Sequence, residues 1–247
     1  MAAVGLDQSE RERYGRQILC LGEEGQSRLK SAHIVIAGAG GLGSPVAIYL
    51  AVAGVGRLTV IDHDTVERTN LNRQILHGDA DIGRPKVESG VETLRALNPS
   101  IRVEGVRATI ADENAASLIG DADGIVDAMD NYPTRFLLNR VAHERGIPLF
   151  HGAIRGFHGQ ATTCVPGRGP CLSCLFPNVP PKEVFPVVGV TPGVIGCIQA
   201  TEVIKYLTGE GDLLTGRLLL WDGLAGSAEE IAVEPRAGCP VCSGGRV

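Results

Sequence analysis

A short apolar run that ends in closely spaced glycines constrains this chain more than any other feature. Ile34-Val35-Ile36-Ala37 leads into Gly38-Ala39-Gly40-Gly41-Leu42-Gly43, a GxGxxG spacing with an additional glycine. The apolar run suits a strand buried on both faces. Ser44 to Val52 reads as a helix, and Leu58 to Ile61 as a second buried strand that ends at Asp62. Strand, glycine turn, helix and strand make a βαβ unit with an acid at the tip of the second strand, as ribose recognition requires. Glycine at the turn lets backbone N–H groups approach phosphate at a helix N-terminus that carries partial positive charge. The stretch from His33 to Gln74 therefore predicts a nucleotide site. The plainer alternative is a tight turn in a ligand-free α/β fold.

Helical and strand patterns alternate around that unit. Ser9 to Leu21 and Glu23 to Lys30 read as helices placed outside the sheet or at a subunit contact. Residues 63–74 read as a polar loop with a helical turn. A helix opens within Asp81 to Lys86, with Pro85 in its first turn, and runs to Leu97 before Asn98-Pro99. Ile101 to Val106, Gly124 to Ala128, Ile147 to Phe150 and Gln160 to Val165 read as strands. Glu113 to Ile119 and Pro133 to Glu144 read as helices. This alternation predicts an α/β fold, a doubly wound, Rossmann-like and mainly parallel sheet. Residues 166–192, dense in proline and glycine, predict a long surface excursion. The helix Gly193 to Leu207 follows, and strands Leu218 to Trp221 and Glu230 to Val233 close the chain as an antiparallel extension. The 247 residues are read as one domain, with a nucleotide-binding core at 1–165 and a zinc-tethered part at 166–247.

The polar residues follow the strand ends. Asn70, Arg73 and Gln74 lie just beyond Asp62 and would overhang a bound nucleotide. Asp64 could bind ribose or metal, or cap a turn. Lys86 falls in the first turn of its helix, where the dipole already favours anions, so a lysine there needs an anion beside it. Surface solvation is the plain alternative for Arg73 and Lys86. Asp130 follows a buried strand at the edge where open α/β sheets bind ligands, and could hold Mg²⁺ against phosphates. It could instead cap the helix that contains Pro133, and Asn131 shares that ambiguity.

Cys171-Leu-Ser-Cys174 and Cys239-Pro-Val-Cys242 give two CxxC pairs, a donor set for tetrahedral Zn²⁺ with no position left for catalysis. A structural zinc that ties the C-terminus to the body of the fold is expected; a redox dithiol would need only one pair. Cys20, Cys164 and Cys197 are expected to pack as small hydrophobes. The formal net charge of −5 disfavours non-specific nucleic-acid or membrane binding. No apolar run reaches the length of a membrane span, and the polar start does not read as a secretory leader. The cytoplasm is the expected compartment, where thiols stay reduced.

Taken together, RYGRQI (Arg13 to Ile18), GAGGLG, DHDTVERTNLNRQ, GRPKVE, DAMDNYPTR, GxxGQ (Gly156 to Gln160) and both CxxC pairs resemble the MoeB/ThiF/HesA group. These are stand-alone relatives of ubiquitin-activating enzymes, and the resemblance covers nearly the whole chain. It implies a homodimer that binds ATP with Mg²⁺. It further implies that the C-terminal Gly-Gly carboxylate of a small β-grasp sulfur-carrier or ubiquitin-like protein becomes an acyl-adenylate, in molybdopterin or thiamine sulfur transfer. A sulfur donor protein would be a further partner. Carried over by residue, Gly41, Asp62, Asn70, Arg73, Gln74 and Lys86 resemble nucleotide contacts, Asp130 lies near the metal, and Arg16 reaches across the dimer to the phosphates. The segment Leu175 to Pro192 departs from many members, because it has no cysteine for a covalent second step. Gly244-Gly245, followed by Arg246-Val247, reads as a tail and not as a conjugation terminus. A nicotinamide-dependent oxidoreductase would explain Asp62 but leaves Arg73, Lys86 and Asp130 without a shared task. The same motifs would also serve adenylation of a small-molecule or tRNA-borne carboxylate, or a non-catalytic scaffold that binds a carrier tail.

Overall fold

The computed structural model describes residues 5–178 and 186–243. Two helices, α1 (Gln8–Arg13) and α2 (Gly15–Ser31), precede the first strand, β1 (His33–Ala37). The break between the helices falls at Tyr14, and α2 also kinks at Gly22 (φ 69°), where the sequence predicts the only interruption. Asp7 and Glu10 explain the early start: each side chain accepts the other's backbone N–H, a reciprocal cap on α1.

β1 is apolar from Ile34 to Ala37 because the sheet is covered on both faces. Ile34 and Ile36 enter one core cluster with Val46, Leu50 and Val203. Val35 and Ala37, one residue out of phase, enter another with Ile119, Leu138 and Val141. Each fully buried side chain of this size contributes roughly 1.5–3 kcal/mol. The first cluster is closed by α3 (Gly43–Ala53), by α4 (Lys86–Leu97) and by a late helix described below. Pro85 precedes α4 instead of lying inside it, because a bridge to Thr65 holds it extended (ψ 132°). Residues 79–81 form a separate 3₁₀ turn.

β2 (Arg57–Ile61) and β3 (Arg102–Val106) extend the sheet on one side of β1, and β4 (Gly124–Asp127) and β5 (Leu149–Arg155) extend it on the other. All these pairs are parallel, as the sequence predicts. Helices α5 (Ala115–Ile119) and α6 (Tyr132–Arg145) cover the second face. From β5 onward the sheet turns antiparallel through β6 (His158–Cys164), giving a hairpin longer than the two short strands expected. A one-turn helix, α7 (Leu172–Leu175), lies in the proline-rich segment, where no helix is predicted. The part of that segment at 179–185 falls outside the described residues, as does the Gly244-Gly245 tail.

The late helix α8 (Val190–Thr208) starts three residues before its expected position and packs on α3. β7 (Arg217–Asp222) and β8 (Ser227–Ala232) then complete the eight-stranded sheet, in the order β3-β2-β1-β4-β5-β6-β7-β8. Every residue of β8 is exposed, and Glu229 and Glu230 put charge on that open edge. Cys164 is buried as expected, Cys197 is only partly covered, and Cys20 is exposed on α2, contrary to the expectation that all three pack as hydrophobes. Among the described residues, no helix is long and apolar enough to cross a membrane.

Candidate nucleotide site and four-cysteine cluster

The chain leaves β1 to one side toward β2 and β3, then returns to β4 on the other. The crevice between the C-terminal ends of β1 and β4 is therefore the topological switch point, where open α/β sheets bind ligands. Gly38 to Gly43 lines it. Gly38 has φ 105°, and a Cβ there would lie 2.7 Å from the Ala128 carbonyl oxygen beyond β4. A Cβ on Gly43 would lie 1.8 Å from the Gly38 carbonyl oxygen. Only glycine closes this turn.

Side chains from neighbouring loops clamp the peptide groups of Ala39. Its N–H donates to Asp62 Oδ2 (2.8 Å), and its carbonyl meets His77 Nε2 (3.2 Å). Burial lowers the His77 pKa, so the neutral ring carries its proton on Nε2 and meets the Ser89 hydroxyl with Nδ1 (2.9 Å). The other Asp62 oxygen accepts the Asp64 N–H (2.8 Å). Asp62 thus shapes the glycine turn in addition to lying where ribose would be read.

The polar loop folds back over the glycines. The Arg73 stem lies 3.5 Å from where a Gly41 Cβ would be, and its guanidinium donates to Thr69 O (3.0 Å) and Asn72 Oδ1 (2.9 Å). Asn70 caps the 3₁₀ turn at 68–70 by accepting the Glu67 N–H (3.1 Å). Gln74 is buried with Nε2 toward Gly40, and among the described residues its Oε1 has no hydrogen-bond partner. Lys86 is the first residue of α4, buried to 5% exposure, with Nζ 2.8 Å from Asp64 Oδ2. The anion that a lysine at this position demands is thus a half-exposed aspartate. Partial burial opposes charge on Asp64, yet Lys86 and then His63 hold its carboxyl below the usual range. Asp62, His63 and Asp64 also lie close enough together to share a cation.

Across the crevice, the peptide after β4 is clamped in the same way. Asp127 Oδ1 accepts the Met129 N–H (3.1 Å), and Arg135 on α6 donates to the Met129 carbonyl through Nε (3.2 Å) and Nη2 (2.5 Å). Asp127 Oδ2 pairs with His151 Nδ1 at 2.7 Å, with both side chains fully buried. Asp130 emerges, exposed, directly beyond this clamp. Asn131 is the N-cap, accepting the Thr134 N–H (3.0 Å), so the capping role falls to Asn131 and leaves Asp130 for other work. Sequence reasoning assigns no role here to His77, Arg135 or His151. The signal available is positional: His151 stands opposite Asp127 in the β4–β5 register.

Arg16 is not brought to its own chain's glycine turn. Gln17 beside it donates to Ala53 O (2.8 Å) at the far end of α3, a helix about 16 Å long at 1.5 Å per residue. Arg16 is exposed there.

Cys171 leads into α7, Cys174 lies within it, and Cys239 and Cys242 come from the last turn, all with free thiols. Cys171 and Cys239 sulfurs lie 3.6 Å apart and Cys174 and Cys242 sulfurs 3.3 Å apart, with all four within 4.8 Å of one another. A tetrahedral Zn²⁺ with 2.3 Å bonds needs sulfurs about 3.8 Å apart, so the donor set fits. The thiols titrate as a coupled set: against burial, the Cys242 and Val241 N–H groups bring Cys239 down, while burial and the neighbouring sulfurs push Cys171 and Cys242 up.

Fold and site together define a nucleotide-binding protein of the doubly wound α/β class, with four clustered thiols able to hold a metal ion. Residues 14–241 match the ThiF family, to which the chain belongs. It is 48% identical to the SAMP-activating enzyme E1 of Haloferax volcanii, covering 99% of this chain and 93% of that one. It is 45% identical to the sulfur carrier protein adenylyltransferase of Thermus thermophilus, covering 94% and 91%. It is 42% identical to the adenylyltransferase and sulfurtransferase MOCS3 of Arabidopsis thaliana, covering 96% of this chain but only 53% of that longer protein. Escherichia coli MccB, solved with AMPCPP and MccA, shares the fold at a TM-score of 0.84 and 24% identity, over 93% of this chain and 74% of that one.

Proposed function

We propose that this chain is an ATP-dependent adenylyltransferase that converts the C-terminal Gly-Gly carboxylate of a small β-grasp carrier into its acyl-adenylate. The carrier is of sulfur-carrier or ubiquitin-like kind, and molybdopterin or thiamine sulfur transfer is the setting. The observation that carries the reading is the shared crevice. The glycine turn, the Arg73 and Lys86 cations and the Asp130 carboxylate come from separate segments and flank one switch point. The names of the relatives support the same activity.

A carboxylate is a poor electrophile, and adenylation makes it a mixed anhydride. A carboxylate oxygen attacks the α-phosphorus in line, that phosphorus loses its bond to the bridging oxygen, and pyrophosphate leaves with the electron pair. No protein nucleophile is required. The chain supplies orientation and charge neutralisation. Gly38, Gly40 and Gly41 let backbone N–H groups reach the phosphates, Asp62 and Asn70 read the ribose side, and Gln74 Nε2, Arg73 and Lys86 face the polyphosphate. Asp130, with Asn131 beside it, would hold Mg²⁺, which neutralises triphosphate charge when bound. Arg16, remote from its own chain's turn, serves the phosphates of a second copy in a homodimer. The four cysteines hold a structural Zn²⁺, and the cytoplasm keeps them reduced.

A cavity beside the crevice supports a protein tail as the acid. A cavity of about 440 Å³ opens on the β5–β8 face, and Tyr132, two residues beyond Asp130, forms one wall. The strand end at Gly156 is bound to Pro186 and Thr191 of the crossing segment. That segment continues over the polar loop, where Gly189 packs on Asn72 and Pro192 on Gly41. The described part of that segment, 186–192, thus touches both the strand end beside the cavity and the glycine turn. Purified β-grasp proteins that end in Gly-Gly, incubated with enzyme and MgATP, test the reading by intact mass. Addition of AMP to one of them is expected. Unchanged mass across the panel overturns it.

A further inference from the structure

We infer that Gln160 reads the backbone of the tail in this cavity through its side-chain carbonyl, and that the buried Asp127–His151 pair behind it fixes which end of the carboxamide faces the tail. The inference rests on the reading above.

Two rows of residues stand side by side on one sheet face. Asp127 pairs with His151 across β4 and β5. Two residues along β5, Ala153 aligns with Gln160, Leu220 and Glu229 on successive strands. Residues two apart on a strand share a face, so Gln160 stands between the buried pair and the cavity that it lines. Gly159, one residue out of phase, points instead at Ile195 on α8.

The hydrogen-bond chain has one consistent sense. Asp127 is fully buried, and a carboxylate only accepts, so His151 Nδ1 carries the proton of the 2.7 Å contact. Burial lowers the His151 pKa and Arg135 reinforces this, against the pull of Asp127; the ring is neutral and Nε2 is an acceptor. Gln160 Nε2 lies 3.5 Å from that nitrogen and donates to it. The opposite carboxamide orientation would set oxygen against a lone pair. Gln160 Oε1 is thereby turned away from the pair and toward the cavity that the residue lines. The ligand that fits is an extended peptide, whose N–H groups meet this acceptor while Tyr132, Leu220 and Trp221 supply apolar wall.

His151 and Asp127 are positioning residues, since neither faces the cavity. Gln160 is a binding residue, so its loss is expected in the KM for the carrier. One net hydrogen bond corresponds to about a three- to tenfold change. The probe is the β-grasp carrier that acquires AMP in the assay above, made by semisynthesis with sarcosine in place of each C-terminal glycine in turn. Sarcosine removes one backbone N–H at a time. Gln160→Leu is expected to raise the carrier KM by about three- to tenfold with the ATP KM unchanged. One sarcosine carrier should cost the wild type the same factor and cost Gln160→Leu nothing further. Equal sarcosine penalties in wild type and Gln160→Leu, or an unchanged carrier KM, overturn the inference while adenylation stands. Absence of adenylation by the wild type overturns both.

Discussion

Replacing Lys86 with methionine separates the two things a buried cation can do. The Lys86 side chain is 7% exposed and its partner Asp64 is 51% exposed, with 2.8 Å between them. Burying an ammonium costs several kcal/mol, and a half-solvated aspartate returns little of it. Methionine matches the length of the stem without the charge, and Asp64 can turn to water. Stability by urea denaturation should therefore stay level or rise by about 1–2 kcal/mol. In a chain of this size, each kcal/mol raises the melting temperature by about 2–4 °C. Catalysis should move the other way: one preorganised charge lost from the developing phosphate oxygens costs about 10²–10³ in kcat. Carrier-dependent ATP–pyrophosphate exchange and thermal melts of the same preparation read both effects. A variant that exchanges at the wild-type rate while losing more than about 2 kcal/mol would make Lys86 a fold element and refute the reasoning. A pH corollary has a definite sign. Lys86 holds the Asp64 carboxyl low in the folded state, against partial burial, so the pair's contribution is present above the unfolded value near 3.9 and disappears as pH falls through the folded value. Lys86→Met should lose that portion of the acid limb.

Four other outcomes follow from the same geometry. Gly43→Ala, whose Cβ would meet the Gly38 carbonyl at 1.8 Å, should fail to give soluble protein or lose ATP binding; Gly41→Ala, with Pro192 at 3.3 Å, should fold and raise the ATP KM. Mercurial titration with a zinc-sensitive dye should release about one Zn²⁺ per chain, and Cys174→Ser should lower both that yield and the melting temperature. His33, His77 and His151 have pKa values lowered chiefly by burial, so the unfolded chain binds more protons below about 6.5 and stability falls as pH drops from about 7.5 to about 5.5. His77→Gln should flatten that slope in melts across the range. Arg16→Ala mixed with Lys86→Met should recover up to about a quarter of wild-type exchange, because half of the reassorted dimers carry one intact site; no recovery would argue that Arg16 does not act across a dimer.

The legible parts of this chain were those in which local chemistry leaves one solution. The four-residue apolar run Ile34 to Ala37 needs cover on both faces, and its side chains do alternate between two cores. Glycine spacing and the paired CxxC motifs were legible for the same reason. Where two neighbouring residues could do one job, sequence could not choose. Asp130 and Asn131 both precede Pro133, and only the Thr134 N–H bond assigns the cap to Asn131. Pro85 suits a first helical turn in isolation, but its bridge to Thr65, far back along the chain, keeps it outside α4.

The illegible parts share a cause: they depend on strand register or helix length. The Asp127–His151 pair joins residues 24 apart, and nothing in either segment alone marks them as partners. The same holds for the two peptide clamps, Asp62 with His77 on Ala39 and Asp127 with Arg135 on Met129. Both hold main chain at opposite lips of one crevice, and each uses a buried or half-buried acid whose desolvation is costly unless its hydrogen bonds are made. Rigidity at those two peptides is what a polyphosphate site needs, because cations and N–H groups neutralise developing charge only if they need not reorganise as it forms. Arg16 gives the converse case. Its spacing from the glycine turn along the chain says nothing of where it lies, whereas the length of α3 puts it at the other end of the helix that opens the site. If Arg16 touches phosphate at all, the phosphate belongs to another copy of the chain.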